Sequence, residues 1–76
     1  MTSDKISTML HATTVESELR MQQAQSRDEF IFSSGLYSAS AFLFLTMVKD
    51  TPVETAQLAI ENKIKDTSFK KYGNQN

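Results

Sequence analysis

The chain has 76 residues, no cysteine, one histidine, eight basic and nine acidic residues, and a formal charge of −1. That size allows one domain at most, and so small a core is marginal without a disulfide, a metal, a membrane or a partner. The missing cysteines exclude disulfides and thiolate metal sites, and the near-balanced charge sets up no field that would recruit nucleic acid.

Helix signals run through the whole sequence. Glycine occurs only at 35 and 73, proline only at 52, and no segment alternates as a strand does. The expected fold is all-α, a single small helical unit over residues 1–76. A short helix is expected at about 4–12, with Ile6, Met9 and Leu10 on one side. A polar helix should follow at about 14–25, its large apolar residues limited to Val15, Leu19 and Met21. Capping boxes, Ser or Thr with Glu three residues on, stand at Thr13 with Glu16, Ser26 with Glu29, and Thr51 with Glu54. Ser26 either starts a new helix or faces water within a longer one.

The central helix, about 27–48, dominates the chain. Residues 30–48 hold no charge and thirteen of the thirty apolar residues. As a helix this stretch is about 28 Å long, close to the ~30 Å hydrocarbon core of a bilayer. On a helical wheel Phe32, Leu36, Leu43 and Met47 group on one side, and Ile31, Phe42 and Leu45 on the other. A helix apolar all round belongs in a core or in lipid. Its Leu, Ile, Phe and Val residues favour insertion by about 3–5 kcal/mol, from which the serines subtract. Ser34 with Ser38 and Gly35 with Ala39 form small-xxx-small pairs of the kind that let helices approach in lipid. Ser34, Gly35, Ser38, Ala39 and Phe42 are therefore the candidate helix-packing face. Arg27 and Lys49 flank the stretch and would anchor it at the two membrane interfaces.

The last helix is expected at about 52–65. Thr51 and Glu54 cap it, Pro52 sits at its first position, and Val53, Ala56, Ile60 and Ile64 form one apolar stripe. Phe69, Lys70, Lys71 and Tyr72 read as a short aromatic-basic tail, and 73–76 as a frayed end. Residues 1–29 carry mixed charge, so neither a secretory signal nor a transit peptide is expected.

Catalytic chemistry finds no support. His11 lacks companions for a metal site. The acidic pairs Glu16 with Glu18 and Asp28 with Glu29 fall in first turns, where the helix dipole favours them. The serines have no adjacent base. No catalytic, cofactor-binding or metal site, no small-molecule substrate and no enzymatic activity are expected. Two functions fit. In the first, the chain is a single-span membrane protein, an accessory or assembly subunit of a larger membrane complex. Its C-terminus then lies on the cytoplasmic or matrix side, because five basic residues follow the span and three precede it. In the second, it is a soluble, cytoplasmic, oligomeric helical regulator or inhibitor that binds another protein through the central helix. Either way the expected partners are other subunits or further copies, with a lipid bilayer in the first case.

Overall fold

A computed structural model describes residues 4–73. Three helices follow one another: α1 (Asp4–Gln23), α2 (Arg27–Leu43), continued by a single π-helical turn (Phe44–Val48), and α3 (Val53–Tyr72). The all-α fold, with an apolar central helix between two others, is as expected. α1 and α2 form a close antiparallel hairpin, and α3 touches both more sparsely. Glu18 meets Lys63 at 3.2 Å and the Lys71 Nζ donates to the Gln22 carbonyl at 3.0 Å, so α3 runs alongside α1 in the same direction. The result is a slab of 43 × 23 × 14 Å.

The first two helices expected are one. No break occurs at Thr13, because the hydroxyls here turn to the helix's own carbonyls instead of capping a new start. Thr14 Oγ1 donates to the Leu10 carbonyl at 2.7 Å, and Ser17 Oγ to the Thr13 carbonyl at 2.7 Å. Glu16 pairs with Arg20 one turn on. The real break is at Ser26, which is extended (φ −144, ψ 161). Its Oγ accepts from the Glu29 N–H at 3.1 Å, and Glu29 Oε1 accepts from the Gln25 N–H at 2.9 Å. This is a capping box whose return arm reaches one residue further back.

The exit from α2 is a left-handed stop. Lys49 N–H donates to the Phe44 carbonyl and Thr51 N–H to the Leu45 carbonyl at 2.8 Å, while Asp50 stands between them at φ 59. The return bond reaches six positions back, one more than in a Schellman motif, because it follows a π turn. Asp50 holds the αL place, where glycine is commonest because it has no Cβ to clash. Asp50→Gly should therefore stabilise the fold by about 0.5–1 kcal/mol, the cost of αL in a non-glycine residue set against glycine's freer unfolded chain. A thermal melt followed by circular dichroism should rise by several degrees. An unchanged or lower midpoint would mean that the αL turn is not limiting.

The same turn overturns the expected cap of α3. Thr51 and Glu54 make no capping box: Pro52 (φ −57, ψ 143) is the N-cap, and no side chain caps the helix. Thr51 is already committed to closing α2 through its N–H. The start is thus displaced by one residue and Glu54 falls at the second helical position instead of the third. Glu54 keeps only its favourable place in the first turn. α3 also runs seven residues past its expected end. The segment read as a tail is helical because Tyr72 packs edge-on against Phe30 (5.6 Å between centroids) and under the Arg27 guanidinium (4.7 Å). Gly73 (φ 68) terminates it; residues 74–76 of the expected frayed end lie outside the described residues.

The core is thin. Its buried apolar members are Met21, Ala24, Phe30, Tyr37, Ala41, Ala56 and Ile60, with Phe42, Leu45, Ile64 and Tyr72 packed at its edge. Of the stripe expected on α3, Ala56 and Ile60 are buried, Ile64 is half-buried and Val53 is exposed.

Candidate association surface

α2 turns its serine side inward. Phe30, Ser33, Tyr37, Ser40 and Ala41 are the buried residues of this helix, one stripe at steps of three and four. Ser17 of α1 is likewise fully buried. Small side chains let the α1 and α2 backbones approach, and the hydroxyls of Ser17 and Ser40 are satisfied within their own helices. Ser40 Oγ donates to the Leu36 carbonyl at 2.9 Å, as Ser17 does to Thr13. Serines do mediate the close helix packing in this molecule. Within the chain they are Ser17, Ser33 and Ser40; the small-xxx-small face is the one expected to meet a partner helix.

That expected face lies on the flank of α2 beside α3. Ser34 and Ser38 are half-buried, Gly35 and Ala39 exposed, and Phe42 packs at the edge of the core. Gly35, Ser38, Ala39 and Phe42, with Gln57, Ile60 and Glu61 of α3, line an open groove of about 550 Å³. A Cβ placed on Gly35 would meet nothing within 4 Å. Gly35 and Ala39 are thus left open to solvent on the α2 wall of this groove. Arg27 and Lys49, the expected interface anchors, both lie over aromatic rings of their own chain, Tyr72 at 4.7 Å and Phe44 at 5.7 Å. His11 rests on the ring of Phe44 at 5.2 Å.

The outward side of α2 is apolar and bare. Ile31, Phe32, Leu36, Leu43 and Met47 are all exposed, Phe32 to 67%. Sequence reasoning grouped Phe32, Leu36, Leu43 and Met47 on one side but assigned the interface to the small residues; the wheel alone does not say which side faces water. Further apolar side chains are exposed on α1 (Ile6, Met9, Val15, Leu19) and α3 (Val53, Leu58, Phe69). The chain exposes 5528 Å², against about 4,700 Å² expected for a compact monomer of its mass. The difference, roughly 800 Å², goes with the flat, elongated shape and with the apolar side chains exposed on all three helices.

Electrostatics constrain where this surface can be used. Arg27–Val48 is long and apolar enough to cross a membrane, and 22% of its most apolar window is buried. Tyr37 stands at its middle, and the Glu18–Lys63 pair acts electrostatically on that residue. The hydrogen-bonding Glu18 carboxylate is the main reason why the Lys63 ammonium is held above the ordinary lysine value, with their Coulombic attraction next. A charged side chain at the centre of a span costs about 2.5–3.5 kcal/mol. Two of them at that level match or exceed the insertion energy of α2. A bundle that kept all three helices packed would carry this pair beside the middle of Arg27–Val48, which weighs against its spanning a bilayer in that form.

Compared with protein-family models, curated proteins and solved structures, the chain matches none.

Proposed function

We propose that this chain is a small helical association protein that works in water, presenting the outward side of α2 to a protein partner. It acts by binding alone, as a regulator or assembly subunit. The observation that carries this reading is the inverted distribution of side chains on α2: the serines face its neighbours and Phe32, Leu36 and Leu43 face outward. An exposed, contiguous apolar face of this kind marks an interaction site. The Glu18–Lys63 pair beside the middle of α2 favours an aqueous setting over a lipid one.

A second reading, the single-span accessory subunit, is favoured by the length and apolarity of Arg27–Val48. Cell fractionation separates the two. Under the aqueous reading, the full chain stays in the supernatant after alkaline extraction of membranes. Purified without detergent, it has a mass above 8.6 kDa by light scattering, alone or with its partner. Retention in the membrane pellet after alkaline extraction would overturn the aqueous reading in favour of the span.

A further inference from the structure

The outward side of α2 has a pattern that narrows the choice of partner. Phe32, Leu36, Ala39 and Leu43 follow one another at steps of three and four, Gly35 lies one turn before Ala39, and no charge stands among the five. Gly35 and Ala39 also form the α2 wall of the groove that Gln57 and Glu61 line from α3. We propose that a second copy of this chain covers this stripe, its α2 antiparallel to the first, with Ala39 at the two-fold axis. The inference rests on the association reading above and adds to it the partner and the register.

The area agrees with such a pair. The chain exposes 5528 Å², roughly 800 Å² more than a compact monomer of its mass, and a standard interface takes about 800 Å² from each partner. A symmetric dimer covers equal area on both copies with one contact, as an isologous interface requires.

The side-chain sizes agree with the antiparallel direction. About a two-fold axis at Ala39, Gly35 of one copy lies level with Leu43 of the other, large against small. The space over Gly35 is open, since a Cβ built there meets nothing within 4 Å. Ala39 on Ala39 lets the backbones approach at the centre, and Phe32 lies level with Thr46 of the second copy. A parallel pair would set Gly35 on Gly35 and Leu43 on Leu43, leaving a gap at one level and crowding at another.

The charges at the ends agree as well. Asp28 and Glu29 occupy the first turn of α2, and Lys49 follows its far end. In the antiparallel pair Lys49 of each copy comes level with the acidic turn of the other, and the helix dipoles oppose. Such rim charges set direction and association rate more than affinity. In a parallel pair the two acidic turns would face each other and the helix dipoles would add, a contrast that Arg27 and Asp50, at the same two ends, reduce.

The chain has no cysteine, so single-cysteine variants report the register cleanly. Under mild oxidation of the full chain without detergent, Ala39→Cys should form a disulfide dimer, because only residues close to the axis come within disulfide reach. Gly35→Cys alone should not, since its two copies lie about 12 Å apart along the helices. A mixture of Gly35→Cys and Leu43→Cys should cross-link. By light scattering the wild type should have twice 8.6 kDa. Ala39→Arg should raise the concentration at half-dissociation about 100-fold or more, through a charge left unpaired in a dry contact. Its helical signal should stay unchanged, Ala39 being exposed. Equal self-cross-linking at positions 35, 39 and 43 would overturn the antiparallel register in favour of a parallel one. A mass above the monomer with no cross-link at 39 would overturn this interface and leave the association reading standing. A monomer in water at every concentration would overturn the second copy as the partner and leave the association reading resting on a different protein.

Discussion

Met21→Ala should cost the fold about 2–5 kcal/mol, the range for truncating a fully buried long apolar side chain. Met21 is 0% exposed and is the largest side chain in the molecule sealed so completely. It lies at the end of α1 where Ala24, Phe30 and Ile60 belong to the same buried cluster, so the cavity would open where all three helices meet. A domain of this size has only about 4–11 kcal/mol of stability in all, and the core here is thinner than usual. The melting midpoint should fall by roughly 10–30 °C. Leu58→Ala is the control: Leu58 is 59% exposed, and surface truncations stay within about 0.5 kcal/mol. Both variants need comparison at one low protein concentration, because association stabilises the folded form by mass action. If Met21→Ala melts within two degrees or so of the wild type, the packing of α1 against the other helices is not what holds the fold.

The helical class is legible in the sequence because the signals for it are local. Sparse glycine, a single proline and repeated capping patterns need no knowledge of what packs against what. The same locality explains the errors. Ser or Thr followed three residues later by Glu occurs at Thr13, Ser26 and Thr51, and only Ser26 acts as a cap. Ser26 follows Ala24 and Gln25, which the fold uses to reverse direction. Thr13 lies where Ser17 is buried against α2, and unbroken helix serves that contact better. Thr51 closes the preceding helix through its amide. Each outcome depends on a tertiary contact that four residues cannot encode. The extension of α3 to Tyr72 has the same origin, because its determinants are Phe30 and Arg27, more than forty residues away in sequence.

The inward side of α2 is harder to read for a different reason. Hydropathy would bury Phe32, Leu36 and Leu43 first, since each is worth about 1.5–3 kcal/mol of transfer. The chain instead buries Ser33 and Ser40, which contribute little by transfer but allow α1 to approach closely. For Ser40 the cost is small because a hydroxyl within reach of the carbonyl four residues back keeps its hydrogen bond, as Ser17 and Thr67 also do. The apolar side is then left exposed. An exposed apolar side of this kind looks, residue by residue, like a membrane span. Length and composition do not separate an association surface from a span; the position of charges on neighbouring helices bears on the difference.

That distinction gives the sharper experiment. Joining Glu18→Cys to Lys63→Cys with a short bismaleimide would lock α1 to α3 across the point where their side chains meet at 3.2 Å. No other thiol competes in this chain. In the aqueous reading the locked protein keeps every contact it uses, because the outward side of α2 faces away from both cysteines. Its mass and concentration dependence by light scattering should match those of the unlinked variant. In the membrane reading α1 and α3 must release α2 before it crosses, since the bundled form would carry its charged flanks into the hydrocarbon at about 2.5–3.5 kcal/mol per charge. Locking would then abolish integration into phosphatidylcholine vesicles, and reversing the order of the two steps would restore it. Association that survives the lock, with no alkali-resistant vesicle binding before or after it, is the expected result. Alkali-resistant binding by the unlinked variant that the lock abolishes would establish that the packed bundle is only a waiting form of a membrane protein.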